Sequence, residues 1–395
     1  MSHGLGHRLG VVISGGAPTL HLAAGALCAF HEAKVHFDVV ATSGAGALPG
    51  LLYLAPKHGD PEAALRGVLN MNIHDAIYHL IPNNYKVFFK YGPFSPLFYR
   101  LGQMIPHFPP DELSTSPLKR LANDWIDFVT AAVTPTTLTY WSKSVLNRVQ
   151  VINDLVDWRK LAASPKHFFL NAFKLDSQEL EVFRKDSMTP DAFYAALAMP
   201  WLYPPTPRTP TSAPLYTEGA SHDPSGIEAA LENTLPELNK MDSIIVLDTI
   251  SADLWTDPES IQEALELAIM DPIVTLAENV AALYALQDRV FNDPSPQYPQ
   301  IYRLPFEIPQ WQLGKVLEWS YSNAVTLWNV GYRAAQKFSG DMKTSGGLPD
   351  ANRYFKTLWK DSREGDFLGL FGDPFAALGK VVVPPPVRSG PGGGP

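Results

Sequence analysis

The stretch from Phe37 to Leu48, FDVVATSGAGAL, constrains the fold most, because an apolar, β-branched run stops abruptly in small residues and hands over to a helix-patterned segment. Such a turn lifts the Ser43 hydroxyl out beside the helix N-terminal N–H groups, where a nucleophile is useful. Ser is also a preferred helix N-cap, so this stretch alone leaves Ser43 open between nucleophile and cap. A similar pattern occurs earlier. Leu9 to Ser14 is a short β-branched run ended by Gly15 and Gly16, and Leu20 to Glu32 follows with Leu20, Leu22, Ala24, Leu27 and Phe30 suited to a helix packed on a sheet. With Gly44 to Leu54 as a second helix, the opening reads β-loop-α-β-turn-α. This alternation predicts an α/β fold, a central mostly parallel sheet covered by helices, with ligands outside the carboxyl ends of the strands.

Residues 57–165 read as a helical, aromatic-rich insertion. Ser116 and Pro117 form an N-cap and N1 pair, after which Leu118, Leu121, Trp125 and Phe128 repeat at helical spacing. Tyr78 to Phe108 is dense in aromatics and prolines and is expected to be a helical cap, with a few residues lining an acyl pocket. Phe168 to Lys174 and Leu180 to Arg184 read as a strand pair, and Thr189 and Pro190 open a helix to Ala198. A proline-rich passage then leads to a short extended segment, Leu215 to Thr217, that delivers Glu218 and Gly219. Ser243 to Asp248 is a further buried strand and Gln300 to Leu304 an edge strand. Helices are expected at Pro258 to Met270, Pro272 to Phe291 and Trp311 to Phe338. Residues 1–338 form the expected domain, and 339–395 an irregular extension with a Pro/Gly-rich tail.

The net charge of −9 and the lack of a basic stripe exclude a phosphate-neutralising nucleic-acid surface. The single cysteine, Cys28, rules out an intramolecular disulfide framework and reads as a small core residue. The apolar N-terminal run has some look of a signal peptide, but Gly15, Gly16, Pro18 and His21 interrupt it, and its removal would delete the first strand. With no run near the roughly 20 apolar residues of a membrane span, the expectation is a cytoplasmic protein, membrane-associated at most through its surface. The histidines show no metal-ligand spacing, so neither metal nor organic cofactor is expected.

Four segments now fall into one order: the glycine loop SGGAPTLHLAAG (Ser14 to Gly25), the elbow ATSGAG (Ala41 to Gly46), the passage AALAMPWLYPP (Ala195 to Pro205) and TEGA (Thr217 to Ala220). In this order they resemble the patatin-like phospholipase (acyl hydrolase) family. The resemblance spans Leu9 to about Phe338. It implies a three-layer α/β/α fold and a serine lipid acyl hydrolase with a Ser-carboxylate dyad: Ser43 as nucleophile, Glu218 as base, and Gly15, Gly16 and Ala17 as N–H donors to the oxyanion. Pro18 has no N–H and ends that row. The implied substrate is a lipid or other ester, met through peripheral contact with a lipid surface.

Three departures from the family pattern stand out. The elbow has Ala41 and Ala45 where the family has glycines, or, aligned on Ala45 to Leu48, one residue extra after Ser43. Glu218 stands where the family has Asp, and the extra methylene moves the carboxylate by more than an ångström. Pro18 and Thr19 replace the Arg or Lys that often follows the glycine loop. His222 and Asp223 lie just beyond Glu218 as auxiliary candidates, and Asp186 and Asp248 are rival carboxylates better read as cap or strand-end residues. A nucleotide-binding domain is the weaker rival, since Gly15-Gly16-Ala17-Pro18 is not GxGxxG. The serious alternative is a patatin-fold protein that has lost catalysis and binds or regulates.

Overall fold

The computed structural model describes residues 8–87, 97–134 apart from 98, 99 and 103, 152–230 apart from 201, 212, 213, 228 and 229, 241–250, parts of 258–277, 299–349 and 354. The chain divides into a compact unit, Met1–Tyr354, and a second, Phe355–Pro395, which lies outside the described residues together with the expected tail.

The opening is β1 (Leu9–Ile13), α1 (Leu20–Glu32), β2 (Val39–Thr42), a short 3-10 turn at Gly44–Gly46 and α2 (Ala47–Leu54). Strands β1 and β2 are buried throughout, as parallel strands covered on both faces must be. Beyond them come α3 (Pro61–Gly67), α4 (Asp75–Leu80), α5 (Pro110–Thr115), α6 (Pro117–Val133) and α7 (Trp158–Ala163). Ser116 caps α6 by accepting from the Lys119 N–H, with Pro117 at the first helical position. The hairpin β3 (His167–Lys174) and β4 (Glu179–Arg184) precedes α8 (Pro190–Ala196), β5 (Thr206–Pro207), β6 (Leu215–Glu218), β7 (Ser243–Leu247), β8 (Gln300–Arg303) and α9 (Tyr321–Ser345).

The sheet runs β8-β7-β1-β2-β3, parallel throughout, with β4 and β6 pairing antiparallel to β3 and β5 on β6. Helix α1 is buried nearly all round because it lies between the sheet and α9. The two helices meet at glycines: a Cβ at Gly25 would collide with the Trp328 carbonyl, and one at Gly331 with the Leu22 carbonyl. Phe30 fills the space beside them, edge-on to Phe37 at 5.4 Å and to Phe338 at 6.0 Å.

Two expectations need correction. The helix expected over Trp311 to Phe338 is a 3-10 turn at Gln310–Lys315, a break, and then α9, which runs past residue 338 to Ser345. Tertiary pairing explains the break: Ile73 N–H donates to the Trp319 carbonyl at 3.0 Å and Tyr321 N–H to the Ile73 carbonyl at 2.8 Å, holding Ser320 extended. Of the helices expected at Pro258 to Met270 and Pro272 to Phe291, residues 270–277 are helical and most of the remainder lies outside the described residues.

His21 ties the glycine loop to this scaffold. Fully buried on α1, its Nδ1–H donates to the Pro18 carbonyl at 2.6 Å, and its Nε2 accepts from Asn72 Nδ2 at 2.8 Å. Only the neutral ring satisfies both bonds, and burial lowers its pKa from 6.5 to about 4. The unfolded chain therefore binds the extra proton between pH 6.5 and 4, so stability falls as pH drops through that window. The expected loss is up to about 3 kcal/mol. Urea midpoints measured from pH 7 to pH 4 should drop more steeply for wild type than for His21→Asn; parallel curves would exclude this role.

Candidate active site

The register along β3 places the expected dyad. On one edge β4 pairs with Phe169 to Lys174. The other edge is left for two strands: β2 pairs with residues His167 to Leu170, and β6 with Ala172 to Lys174. Thr42 lies opposite Leu170 and Glu218 opposite Ala172, so the C-terminal ends of β2 and β6 meet over Asn171. Strand β3 is thus a splint that brings Ser43 and Glu218 to one point from 175 positions apart in sequence.

At that point Ser43 is fully buried with an extended backbone (φ −129°, ψ 143°), and its N–H donates to the Ile13 carbonyl at 3.0 Å. Its single hydroxyl proton faces two acceptors, the Asp223 backbone carbonyl at 2.7 Å and Asn171 Oδ1 at 2.9 Å. Asn171 in turn donates through Nδ2 to the Asp223 carbonyl at 2.7 Å and carboxylate at 3.2 Å. The sequence did not single out Asn171, although it is the only amide within an otherwise mostly apolar strand, a signal that was available.

The left-handed backbone falls on the next residue, Gly44, at φ +45°. A Cβ there would collide with Glu218 Oε1 and touch the Ala220 Cβ, so the Glu218 carboxyl lies directly over Gly44, where a side chain at the tip of the elbow would otherwise stand. Burial without a charge partner raises the Glu218 pKa from 4.5 to about 8. Tyr203, from the proline-rich passage, faces it closely enough that the Glu218 charge adds to burial in raising the phenol. No hydrogen bond joins Ser43 to Glu218 among the described residues.

The remaining candidates divide. Gly15 N–H donates to the Pro224 carbonyl at 3.0 Å, so it is not available to an oxyanion, a correction to the expected donor row. Gly16, at φ +107°, and Ala17 have no acceptor for their N–H groups among the described hydrogen bonds. The loop is braced from below by Thr249, whose hydroxyl donates to the Ser14 and Gly15 carbonyls. His222 stacks on Phe173 at 3.6 Å in an exposed position, and burial of its ring face lowers its pKa; it touches neither Ser43 nor Glu218 among the described contacts. Asp223 is buried as a turn anchor, its carboxylate accepting from Ser225 Oγ at 3.0 Å and Gly226 N–H at 2.9 Å. Asp248 pairs with Arg303 at the ends of β7 and β8. Cys28 is a core residue whose thiol is pushed up to about 12, chiefly by burial.

The sequence model of the family described as patatin-like phospholipase matches residues 11–231, from within β1 to just beyond Asp223. The chain belongs to that family. The match contains the glycine loop, the elbow and Glu218, and the mixed, mostly parallel sheet flanked by helices is the patatin-like α/β/α architecture. Among solved structures, VipD from Legionella pneumophila is similar over 89% of this chain and 79% of its own, at 13% identity and a TM-score of 0.34. Curated proteins give no match. Membership in a patatin-like phospholipase family supports lipid acyl hydrolysis as the general class of function.

Proposed function

We propose that the chain hydrolyses lipid esters with Ser43 as nucleophile and Glu218 as base, starting from a resting state in which the two are not hydrogen-bonded. The observation that carries this reading is the β3 splint, which seats Ser43 and Glu218 beyond neighbouring residues of one strand, with the Glu218 carboxyl over Gly44, the residue that follows Ser43. Substrate entry has to turn the Ser43 hydroxyl away from Asn171 and the Asp223 carbonyl. Its oxygen then attacks the ester carbonyl carbon while ionised Glu218 takes the proton. Gly16 and Ala17 N–H groups stabilise the tetrahedral oxyanion. Collapse breaks the acyl C–O bond, and Glu218 returns the proton to the departing alcohol. Water then attacks the acyl-serine with its proton passing to Glu218; collapse breaks the bond between the acyl carbon and Ser43 Oγ, and Glu218 returns the proton to Oγ, which releases the acid and restores both residues.

A second reading is favoured by Gly44. The positive φ expected of an elbow's tip falls there, and aligning the segment on Ala45 to Leu48 puts Gly44 in the nucleophile's place, with the longer Glu218 filling the space of a missing side chain. The protein would then bind lipid esters without cleaving them. A fluorophosphonate probe separates the readings. Labelling of wild type supports the hydrolase. An unlabelled wild type that becomes labelled in Gly44→Ser/Glu218→Asp supports the silent site and sinks the Ser43 mechanism.

A further inference from the structure

Helix α6 is amphipathic in the reverse sense. Its buried residues are Arg120, Asn123 and Asp124. On the opposite side Leu118, Ala122, Trp125, Val129 and Ala132 fall at the 4-3-4-3 spacing of one helical face, with Val133 four residues after Val129 on the same face and no polar residue among them. Four of these are open to solvent: Leu118 is 78% exposed, Trp125 42%, Val129 51% and Val133 58%. The orientation is held by the polar side. Arg120 donates to Asn70 Oδ1 at 3.1 Å and lies 3.5 Å over the Tyr321 ring. Asp124 accepts from His74 N–H at 2.6 Å and from Lys86, and its carbonyl accepts from the Tyr85 hydroxyl at 2.7 Å. Asn123 bonds both the N–H and the carbonyl of Phe108 at 3.0 Å. Rolling the helix to hide its apolar face would bury these groups unpaired or expose the bonds, so the face stays outward.

The segment ending at Phe108 extends the same surface. Asn123 fixes Phe108 against α6, and Gly102 packs on the Thr130 side chain, while Leu101, Met104, Ile105 and Phe108 remain exposed. Exposed apolar side chains gathered on and beside one helix in this way mark an interaction site.

We propose that this surface docks on the headgroup region of a net-neutral lipid bilayer. Two observations select that occupant. Although the chain carries a net charge of −9, the described acidic and basic groups beside α6 are joined in ion pairs, Lys119 with Glu112, Lys86 with Asp124 and Asp127, and His107 with Asp127, rather than gathered into a basic stripe. A face that bears Trp125 and aliphatic side chains and has no basic stripe among the described residues suits a zwitterionic surface and offers a specific protein partner few polar groups to set a register. The inner side of α6 is continuous with the catalytic loop, since Leu121, Phe128 and Ala131 pack in the same cluster as Ala17. The purpose of docking rests on the lipid-ester reading of the site; the surface itself does not.

Co-sedimentation with phosphatidylcholine vesicles tests it. Wild type is expected to partition onto the vesicles and to stay bound in about 0.5 M salt, because the attraction is apolar. Trp125→Glu/Val129→Glu should reduce partitioning at least roughly tenfold with an unchanged far-UV spectrum, whereas Leu175→Glu, on the exposed β3–β4 turn, should bind like wild type. Ser43→Ala should also bind like wild type, which separates this test from failure of the hydrolase. Equal partitioning of the double variant overturns the proposal. So does a wild type that ignores vesicles, whether it is monomeric or a dimer that the double variant dissociates; the dimer would assign the face to a second copy of the chain.

Discussion

Ser43→Ala is expected to abolish covalent labelling by a fluorophosphonate probe and to lower turnover of a p-nitrophenyl ester by on the order of 10⁴-fold or more, since the whole acyl-transfer route passes through one oxygen. The fold should survive. Ser43 is held through its backbone N–H to the Ile13 carbonyl, which Ala retains. What Ala removes is the hydroxyl proton from Asn171 and the Asp223 carbonyl. The Asp223 carbonyl keeps Asn171 Nδ2 as a donor, whereas Asn171 Oδ1 loses the Ser43 hydroxyl, its donor among the described hydrogen bonds. The stability cost is then that of a buried acceptor left without a donor, about 1–3 kcal/mol. Loss of activity with a thermal midpoint shifted by only a few degrees would separate chemistry from folding. Equal labelling of wild type and variant would remove Ser43 from the mechanism and assign the label to another nucleophile.

Glu218 makes the second large prediction, and its sign is unusual for a carboxylate. As a base it works only when ionised, and its burial puts that ionisation at about pH 8 rather than 4.5. About a tenth of the molecules carry the charge at pH 7, so kcat/KM should rise about tenfold between pH 7 and pH 9 and level off above. A profile already flat from pH 6 would show that the base is another group. Glu218→Gln should lower turnover by on the order of 10²–10³-fold and flatten the profile, while keeping the shape of the pocket over Gly44. Stability runs the other way. The folded state keeps the Glu218 proton more tightly than the unfolded chain, so this group weakens the fold as pH rises from 4.5 through 8. His21 weakens it as pH falls from 6.5 through 4. The two slopes oppose each other where the windows overlap, between about pH 4.5 and 6.5, and they can be separated with His21→Asn and Glu218→Gln.

Gly44 links these predictions, because it is both the reason Glu218 can approach Ser43 and the sign that the elbow is altered. In the hydrolase reading, the absent Cβ clears the path between hydroxyl and carboxylate. In the silent reading, the carboxylate has taken the room that a nucleophilic side chain would need. The same atoms support both, so the outcome depends on whether Ser43 can turn out of its present bonds.

The sequence by itself determined the pieces whose cause is local. Helix α1 runs over Leu20–Glu32 as its apolar spacing predicts, Ser116 and Thr189 cap the helices they were expected to open, and the apolar runs at Leu9, Phe37, Phe168 and Ser243 became largely buried strands, because caps, turns and periodicity act over a few residues. The motif order also pointed to the family. Tertiary structure alone decided what those pieces do to one another. That β2 and β6 share one edge of β3 follows from β4 occupying the other edge, and the pairings join Thr42 to Leu170 and Ala172 to Glu218, 128 and 46 positions apart, which leaves no local trace. From it come the role of Asn171, the carboxyl over Gly44 and the capture of the Gly15 N–H by Pro224. Helix α6 shows the same limit: its period announced an amphipathic helix, but only the buried network around Arg120, Asn123 and Asp124 turned the apolar side outward.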